Sequence, residues 1–140
     1  MLPANMPVDE FTTPDPITVT EDMNIEELNT LMSEHAIRHL PVLRDGVAVG
    51  VISDRDVRLC AGLSLAERFQ VSAGDIMSPE PLTVSSTAAL DEVAFLMSEN
   101  KIGSVIVLED GQFLGIFTAT DALNALIEII RSMPQSCSGS

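Results

Sequence analysis

The sequence predicts an α+β fold of two β-α-β-β-α repeats, packed sheet to sheet about an approximate two-fold axis. The first observation behind this is a gapless internal duplication with an offset of 65 residues: Pro16-Ile17-Thr18-Val19 returns as Pro81-Leu82-Thr83-Val84, and Leu31-Met32-Ser33-Glu34 as Leu96-Met97-Ser98-Glu99. The same register pairs Ile37 with Ile102, Val42-Leu43 with Val107-Leu108, Asp45-Gly46 with Asp110-Gly111, Gly50 with Gly115 and Asp56 with Asp121. Self-similarity held at one period is the mark of a repeated structural unit. The second observation is that apolar spacing switches from helical to strand-like at the same place in both units. The third is length, since 140 residues suit two small halves sharing a core.

Each unit opens on an extended segment ending in Thr-Val, behind prolines that disfavour helix. Asp22 and Thr87 stand where a helix N-cap is wanted. A helix follows, with Ile25, Leu28, Leu31 and Met32 on one face in the first unit and Leu90, Val93, Leu96 and Met97 in the second. Next come β-branched runs at residues 40–43 and 47–52 joined by Asp45-Gly46, and at 105–108 and 113–117 joined by Asp110-Gly111. An Asp-Gly pair between such runs is a strong hairpin signal, because both residues of the tight turn need positive φ. A closing helix runs from Arg55 toward Gly62 in one unit and from Thr120 to Arg131 in the other. One such unit leaves a sheet face uncovered, so the two should pack through their sheets. The expected boundaries are residues 8–62 for repeat 1, a connector at 63–72, repeat 2 at 73–131 and a flexible tail at 132–140. The connector carries Leu63, Leu65 and Phe69, enough for a further helical turn.

Composition narrows the function. With five Phe and no Trp or Tyr, the core must come from Leu, Ile, Val, Met and Ala. Seven basic against 21 acidic residues give a net charge of −14, which argues against nucleic-acid and anionic-membrane partners. Four of the seven basic residues, Arg38, Arg44, Arg55 and Arg58, fall between positions 38 and 58, so an anion site would draw on that group. No apolar run approaches the roughly 18 residues of a membrane span, and the first residues do not read as a signal peptide. The expected location is the cytoplasm. Cys60 and Cys137 lack metal-ligand spacing and read as unrelated thiols. His35 and His39 come without paired ligands, so no metal site is expected. No nucleophile–base pattern is legible, and no catalytic residues are assigned.

Each unit closes on Gly, two apolar residues, a hydroxyl residue, two variable residues and Asp: Gly50-Val51-Ile52-Ser53-Asp54-Arg55-Asp56, then Gly115-Ile116-Phe117-Thr118-Ala119-Thr120-Asp121. Read structurally, Ser53 or Thr118 caps a helix whose third residue is Asp56 or Asp121, close to a capping box. Read functionally, a helix start attracts phosphate, the hydroxyl can donate to it, and an ionised carboxylate accepts from two adjacent ribose hydroxyls. Gly50 and Gly115 would allow either a close ligand or close strand packing.

The duplicated unit, the Pro-x-Thr-Val openings, the Ile37-Arg38-His39-Leu40-Pro41-Val42 segment and the two Gly-x-x-Ser/Thr-x-x-Asp endings resemble a tandem pair of CBS (cystathionine-β-synthase-type) domains, over about residues 8–131. The resemblance implies a Bateman module with two clefts for AMP, ADP, ATP, S-adenosylmethionine or a related ligand. It implies a homodimer of four repeats, and regulation of an enzyme, channel or transporter, here a separate protein. No cofactor is required; an adenine nucleotide would be the regulatory ligand. By the same resemblance Asp56 and Asp121 hold ribose, and Ser53 and Thr118 contact phosphate. Thr18 and Thr83, with the backbone of Ile37 and Ile102, line the adenine pockets, and Arg38 and His39 reach phosphates. The second unit departs at Gly103 and Ser104, and has Thr120 where the first has Arg55, which implies unequal clefts. The basic residues favour tighter phosphate binding where Ser53, Arg55 and Asp56 close the cleft. The internal two-fold reverses that ranking if it carries Arg38 and His39 to the second unit's phosphate. A homodimer is also suggested by the wide apolar stripe of Leu123, Leu126, Ile127, Ile129 and Ile130. The competing reading is a constitutive dimerisation or scaffold module with empty clefts.

Overall fold

In the computed structural model, which describes residues 6–133, the two repeats are built from matching elements. Repeat 1 contributes β1 (Thr13–Pro14), α1 (Ile25–His35), β2 (His39–Arg44), β3 (Val47–Ser53) and α2 (Asp54–Arg58). A short helix, α3 (Leu65–Gln70), connects the repeats, and another, α4 (Ala73–Ile76), opens repeat 2. That repeat holds β4 (Ser78–Pro79), β5 (Thr83–Ser85), α5 (Leu90–Asn100), β6 (Ser104–Glu109), β7 (Gln112–Thr118) and α6 (Ala119–Ser132). Of the expected tail, residues 134–140, with Cys137, lie outside the described residues.

The duplication reaches the backbone. The non-glycine residues with positive φ form three pairs at the repeat offset: Asp15 with Glu80, Ala36 with Lys101, and Asp45 with Asp110. Asp45 (φ 51°) and Gly46 (φ 80°) make the predicted tight turn between β2 and β3, and Asp110 and Gly111 repeat it. Both hairpins carry a register shift at the same place, Val42/Leu43 and Val107/Leu108.

Three apolar clusters form the core. Leu28, Leu40, Val42 and Ile52 centre the first, beneath the helices of repeat 1. Val93, Val105, Val107 and Phe117 centre the second. Val51, Ile106 and Ile116 join the two sheets, with Ala48, Leu108 and Phe113 at the margin. This third cluster is the expected sheet-to-sheet contact.

The repeats also exchange their leading segments. β1 pairs with β7 of repeat 2 (Pro14 opposite Gly115), and β4 pairs with β3 of repeat 1 (Pro79 opposite Gly50). The Val8 amide donates to Ala88 O at 2.8 Å and the Ala73 amide to Met23 O at 2.7 Å, the same bond one repeat apart. Likewise the Leu90 amide donates to Met6 O at 2.8 Å and the Ile25 amide to Val71 O at 3.1 Å. Val8 and Ala73 are fully buried, and Val8 lies in the repeat 2 core.

Several expectations shift by a residue or two. The first helix of each repeat starts later than Asp22 and Thr87 suggest. Asn24 caps α1 in a capping box with Glu27, while Asp22 accepts from the Thr20 hydroxyl. Ala89 precedes α5 and has no capping side chain. Start points two residues on are set by Ile25 and Leu90, the first buried residues, whose amides are taken by the exchanged segments. The closing helix of repeat 1 is five residues long, not the eight expected; tight turns follow, and Ser64 caps α3 in a new capping box with Glu67. Arg68 pins this connector to repeat 1 through Ala61 O, Leu63 O and the Glu26 carboxylate. α4 carries no apolar periodicity long enough to be foreseen.

Gly50 and Gly115 serve strand packing. A Cβ at Gly50 would stand 3.0 Å from Ser78 O and 2.8 Å from Met77 Cγ, and one at Gly115 would overlap the Thr13 carbonyl. Gly115→Ala should therefore disrupt the β1–β7 pairing and cost about 1–3 kcal/mol, measured by urea unfolding. Gly62→Ala, at a position with open space, should cost far less by the same measurement.

Candidate ligand cleft

The site begins at the β3–α2 junction. Ser53, extended at φ −100° and ψ 162°, caps α2. Its Oγ accepts from the Asp56 amide at 3.2 Å, while Asp56 Oδ2 accepts from the Ser53 amide at 2.9 Å and from the Ser53 hydroxyl at 3.1 Å. At the β7–α6 junction Thr118 and Asp121 make the same three bonds at 3.3, 2.9 and 3.0 Å. The capping box is thus fully formed with Asp in place of Glu. Its consequence is chemical: the single hydroxyl hydrogen of Ser53 or Thr118 is committed to the carboxylate. Donation to a phosphate requires that hydroxyl to rotate away. The other carboxylate oxygen, Oδ1, makes no hydrogen bond among the described residues and can accept from a ligand hydroxyl.

In front of the first junction lies a cleft of about 830 Å³ between the repeats. Repeat 1 contributes His39, Ser53, Arg55 and Asp56. Repeat 2 contributes Pro81, Leu82, Lys101, Ile102 and Ser104, so that both repeats line the cleft with a mixture of apolar and polar side chains. A mixed lining of this kind suits a ligand with a flat apolar base and a hydroxyl-rich, charged portion.

Of the residues singled out from sequence, the structure brings His39, Ser53, Arg55, Asp56 and Ile102 together here. Thr83 is exposed at the start of β5, one residue beyond Leu82. Thr18 is half-buried ahead of Val19, which bridges to Val42. Ile37 and Arg38 line a separate groove with Asp54 and Arg58. Thr118, Thr120 and Asp121 stand at the second junction. Leu82, Lys101 and Ser104 were not assigned to this cleft from sequence. They enter because the half-turn between repeats sets one repeat's junction against the loop before the other repeat's β6, a relation that a linear offset does not display.

His39 sits where the repeats meet. A side chain at Gly103 would start 3.2 Å from His39 Nε2, so the His39 ring takes the space that a counterpart of Arg38 would need. Burial holds the His39 imidazole below the usual histidine range; Arg38 adds to this, and the Asp54, Asp56 and Asp121 carboxylates oppose it. Among the described residues no three His, Cys, Asp or Glu side chains converge as metal ligands, and no helix is long and apolar enough to cross a membrane.

Comparisons with known proteins agree with this architecture. The family model described as CBS domain matches residues 8–60 and 73–128. The chain is 34% identical over 114 residues to inosine-5'-monophosphate dehydrogenase from Korarchaeum cryptofilum, covering 81% of this chain and 23% of that protein. It spans a quarter to a third of the first curated relatives it matches. Among solved structures, CBSX2 in complex with AMP superposes with a TM-score of 0.77 at 29% identity, covering 89% of this chain and 98% of that one. The CBS domain pair of MJ0100, in complex with 5'-methylthioadenosine and S-adenosyl-L-methionine, gives 0.74 at 28% identity, with coverages of 88% and 96%.

The lowered His39 pKa has a definite sign. The folded state resists protonating this ring, so the unfolded state binds more protons once pH falls below the ordinary value of 6.5. His39's contribution to stability should be complete above that value and decline as pH falls from 6.5 toward its folded pKa. His39→Gln should flatten this part of the stability–pH profile, followed by chemical denaturation at half-unit pH steps.

Proposed function

The chain belongs to the CBS domain family, and we propose that it is a cytoplasmic ligand-sensing module, not an enzyme, whose clefts bind an adenosine-containing ligand such as AMP, ADP or ATP and report its presence to a regulated partner. The observation that carries this is the cleft at the β3–α2 junction. There Asp56, tied by Oδ2 to its own cap, is left with Oδ1 for a ribose, and Leu82 and Ile102 line the same cleft beside a base. Two structural relatives, both above 25% identity, hold ligands that share only the adenosine group. Burying the base and accepting from the ribose hydroxyls would use the part common to all of them. Asp121 repeats the geometry of Asp56, so the second cleft is assigned the same ligand class.

Asp56→Ala and Asp121→Ala should each weaken adenosine-ligand binding about ten- to hundred-fold, the worth of one charged hydrogen-bond acceptor, measured by calorimetry. Stability should fall by about 1 kcal/mol or less, because Ser53 and Thr118 still cap the helices. A ligand at 100 times its dissociation constant should stabilise the wild-type fold by about 2.7 kcal/mol. No thermal shift with any adenosine compound would favour a constitutive scaffold instead.

We also propose a homodimer. Leu123, Leu126, Ile127 and Ile130 on α6 are exposed, as is Phe95 on α5, whereas Ile129 turns into the core. Exposed apolar side chains of this size along adjacent helix faces mark an association surface. Light scattering at micromolar concentration should give twice the 15.0 kDa chain mass, and Ile127→Asp should shift it toward the monomer.

A further inference from the structure

The chain carries three times as many acidic as basic residues, so a basic side chain without a carboxylate partner calls for a reason. Arg44 pairs with Glu21 at 2.6 Å, Arg58 with Asp54 at 3.7 Å and Arg68 with Glu26 at 3.1 Å. Among the described residues, Arg38, Arg55, Lys101 and Arg131 have no carboxylate within ion-pair distance. Two of these four, Arg55 and Lys101, line the same cleft from opposite repeats. Lys101 ends α5 with φ 53°, in the left-handed conformation usually left to glycine or asparagine. The repeat offset replaces Arg55 by Thr120 and Lys101 by Ala36, so neither cation recurs at the equivalent position of the other repeat. Arg38 stands at the repeat offset from Gly103, and it lines the groove beside Asp54 and Arg58.

We propose that Arg55 of repeat 1 and Lys101 of repeat 2 form a two-sided clamp for the phosphate chain of the ligand, so that this cleft selects nucleoside di- and triphosphates over the nucleoside, and the bound chain bridges the repeats. The proposal rests on the adenosine-ligand reading for the identity of the ligand, but not for the clamp itself. Three carboxylates also line the cleft, but Asp54 is paired with Arg58, and Asp56 turns Oδ2 into its own cap. Glu80 is the third, and two cations stand against it in the same cleft. A phosphate chain longer than one unit can meet both cations, and charge-assisted contacts to phosphate are the strong class of hydrogen bond. Lysine and arginine suit this division, one as a mobile point charge and the other as a planar fork.

The test is calorimetry with ATP, AMP, adenosine and inorganic tripolyphosphate on wild type, Arg55→Gln, Lys101→Gln and the double variant, with thermal unfolding as the folding control. Glutamine keeps most of the side-chain length at both positions. Each single variant should lose about tenfold in ATP affinity and the double more, with AMP affected less and adenosine unchanged within about twofold. Raising salt should weaken ATP binding in wild type more than in the double variant. Unchanged ATP affinity in the double variant, or an equal loss for adenosine, overturns the clamp while leaving the adenosine reading intact. Tripolyphosphate binding that the double variant loses, in a protein that binds no adenosine compound, upholds the clamp and sinks the adenosine reading. Wild type that binds neither ATP nor tripolyphosphate overturns the clamp.

Discussion

The reciprocal exchange of leading segments is the constraint on which the rest of this molecule depends. Each repeat gives up its opening stretch to complete the other: β1 extends the sheet of repeat 2, and β4 that of repeat 1. The exchanged backbone supplies carbonyls for the first amides of α1 and α5, groups that a helix start otherwise leaves unpaired. That matters most at α5, where Ala89 offers no capping side chain. The crossing strands also demand glycine at Gly50 and Gly115, because the incoming chain lies where a Cβ would be. Neither repeat can complete its sheet alone, so the two fold as one cooperative body.

Exchange brings the β3–α2 junction of one repeat against the loop before β6 of the other. A cleft follows from this arrangement, since its lining is drawn from both repeats. Its occupancy is therefore coupled to how the repeats sit together. A ligand that touches both repeats stabilises their contact by its own binding free energy, which is the physical basis for a module that reports ligand state.

Under the proposed ligand reading, the capping box lets one side chain serve stability and recognition together. Asp56 and Asp121 each use one carboxylate oxygen locally, and the other makes no hydrogen bond among the described residues. The local bonds hold the carboxylate in place before any ligand arrives, which lowers the ordering cost of binding. The helix behind the junction differs sharply, with five residues in α2 and fourteen in α6. A helix of one turn offers little macrodipole, so side-chain cations carry more of the electrostatics in the first cleft than a bare helix start would.

By itself the sequence determined the duplication, the order of strands and helices, the tight Asp-Gly turns and the cap-forming Ser53/Asp56 and Thr118/Asp121 pairs. All of these depend on short-range backbone preference and on which side of an element is apolar, and such information is local. Helix starts were displaced, from Asp22 to Asn24 and from Thr87 to Ala89, because the deciding partner, a carbonyl of Val71 or Met6, lies far away in the chain. The same holds for the site. Ser53, Asp56 and Arg55 were visible as a motif, whereas Lys101, Leu82 and Ser104 joined them only through the half-turn between repeats. Likewise, the sequence left Gly50 and Gly115 open to either a ligand or a strand, and only the tertiary structure decided for the strand. Whatever rests on contacts between the two repeats, including which cations face one cleft, is set by their packing, and a linear pattern repeated at a fixed offset holds no record of that geometry.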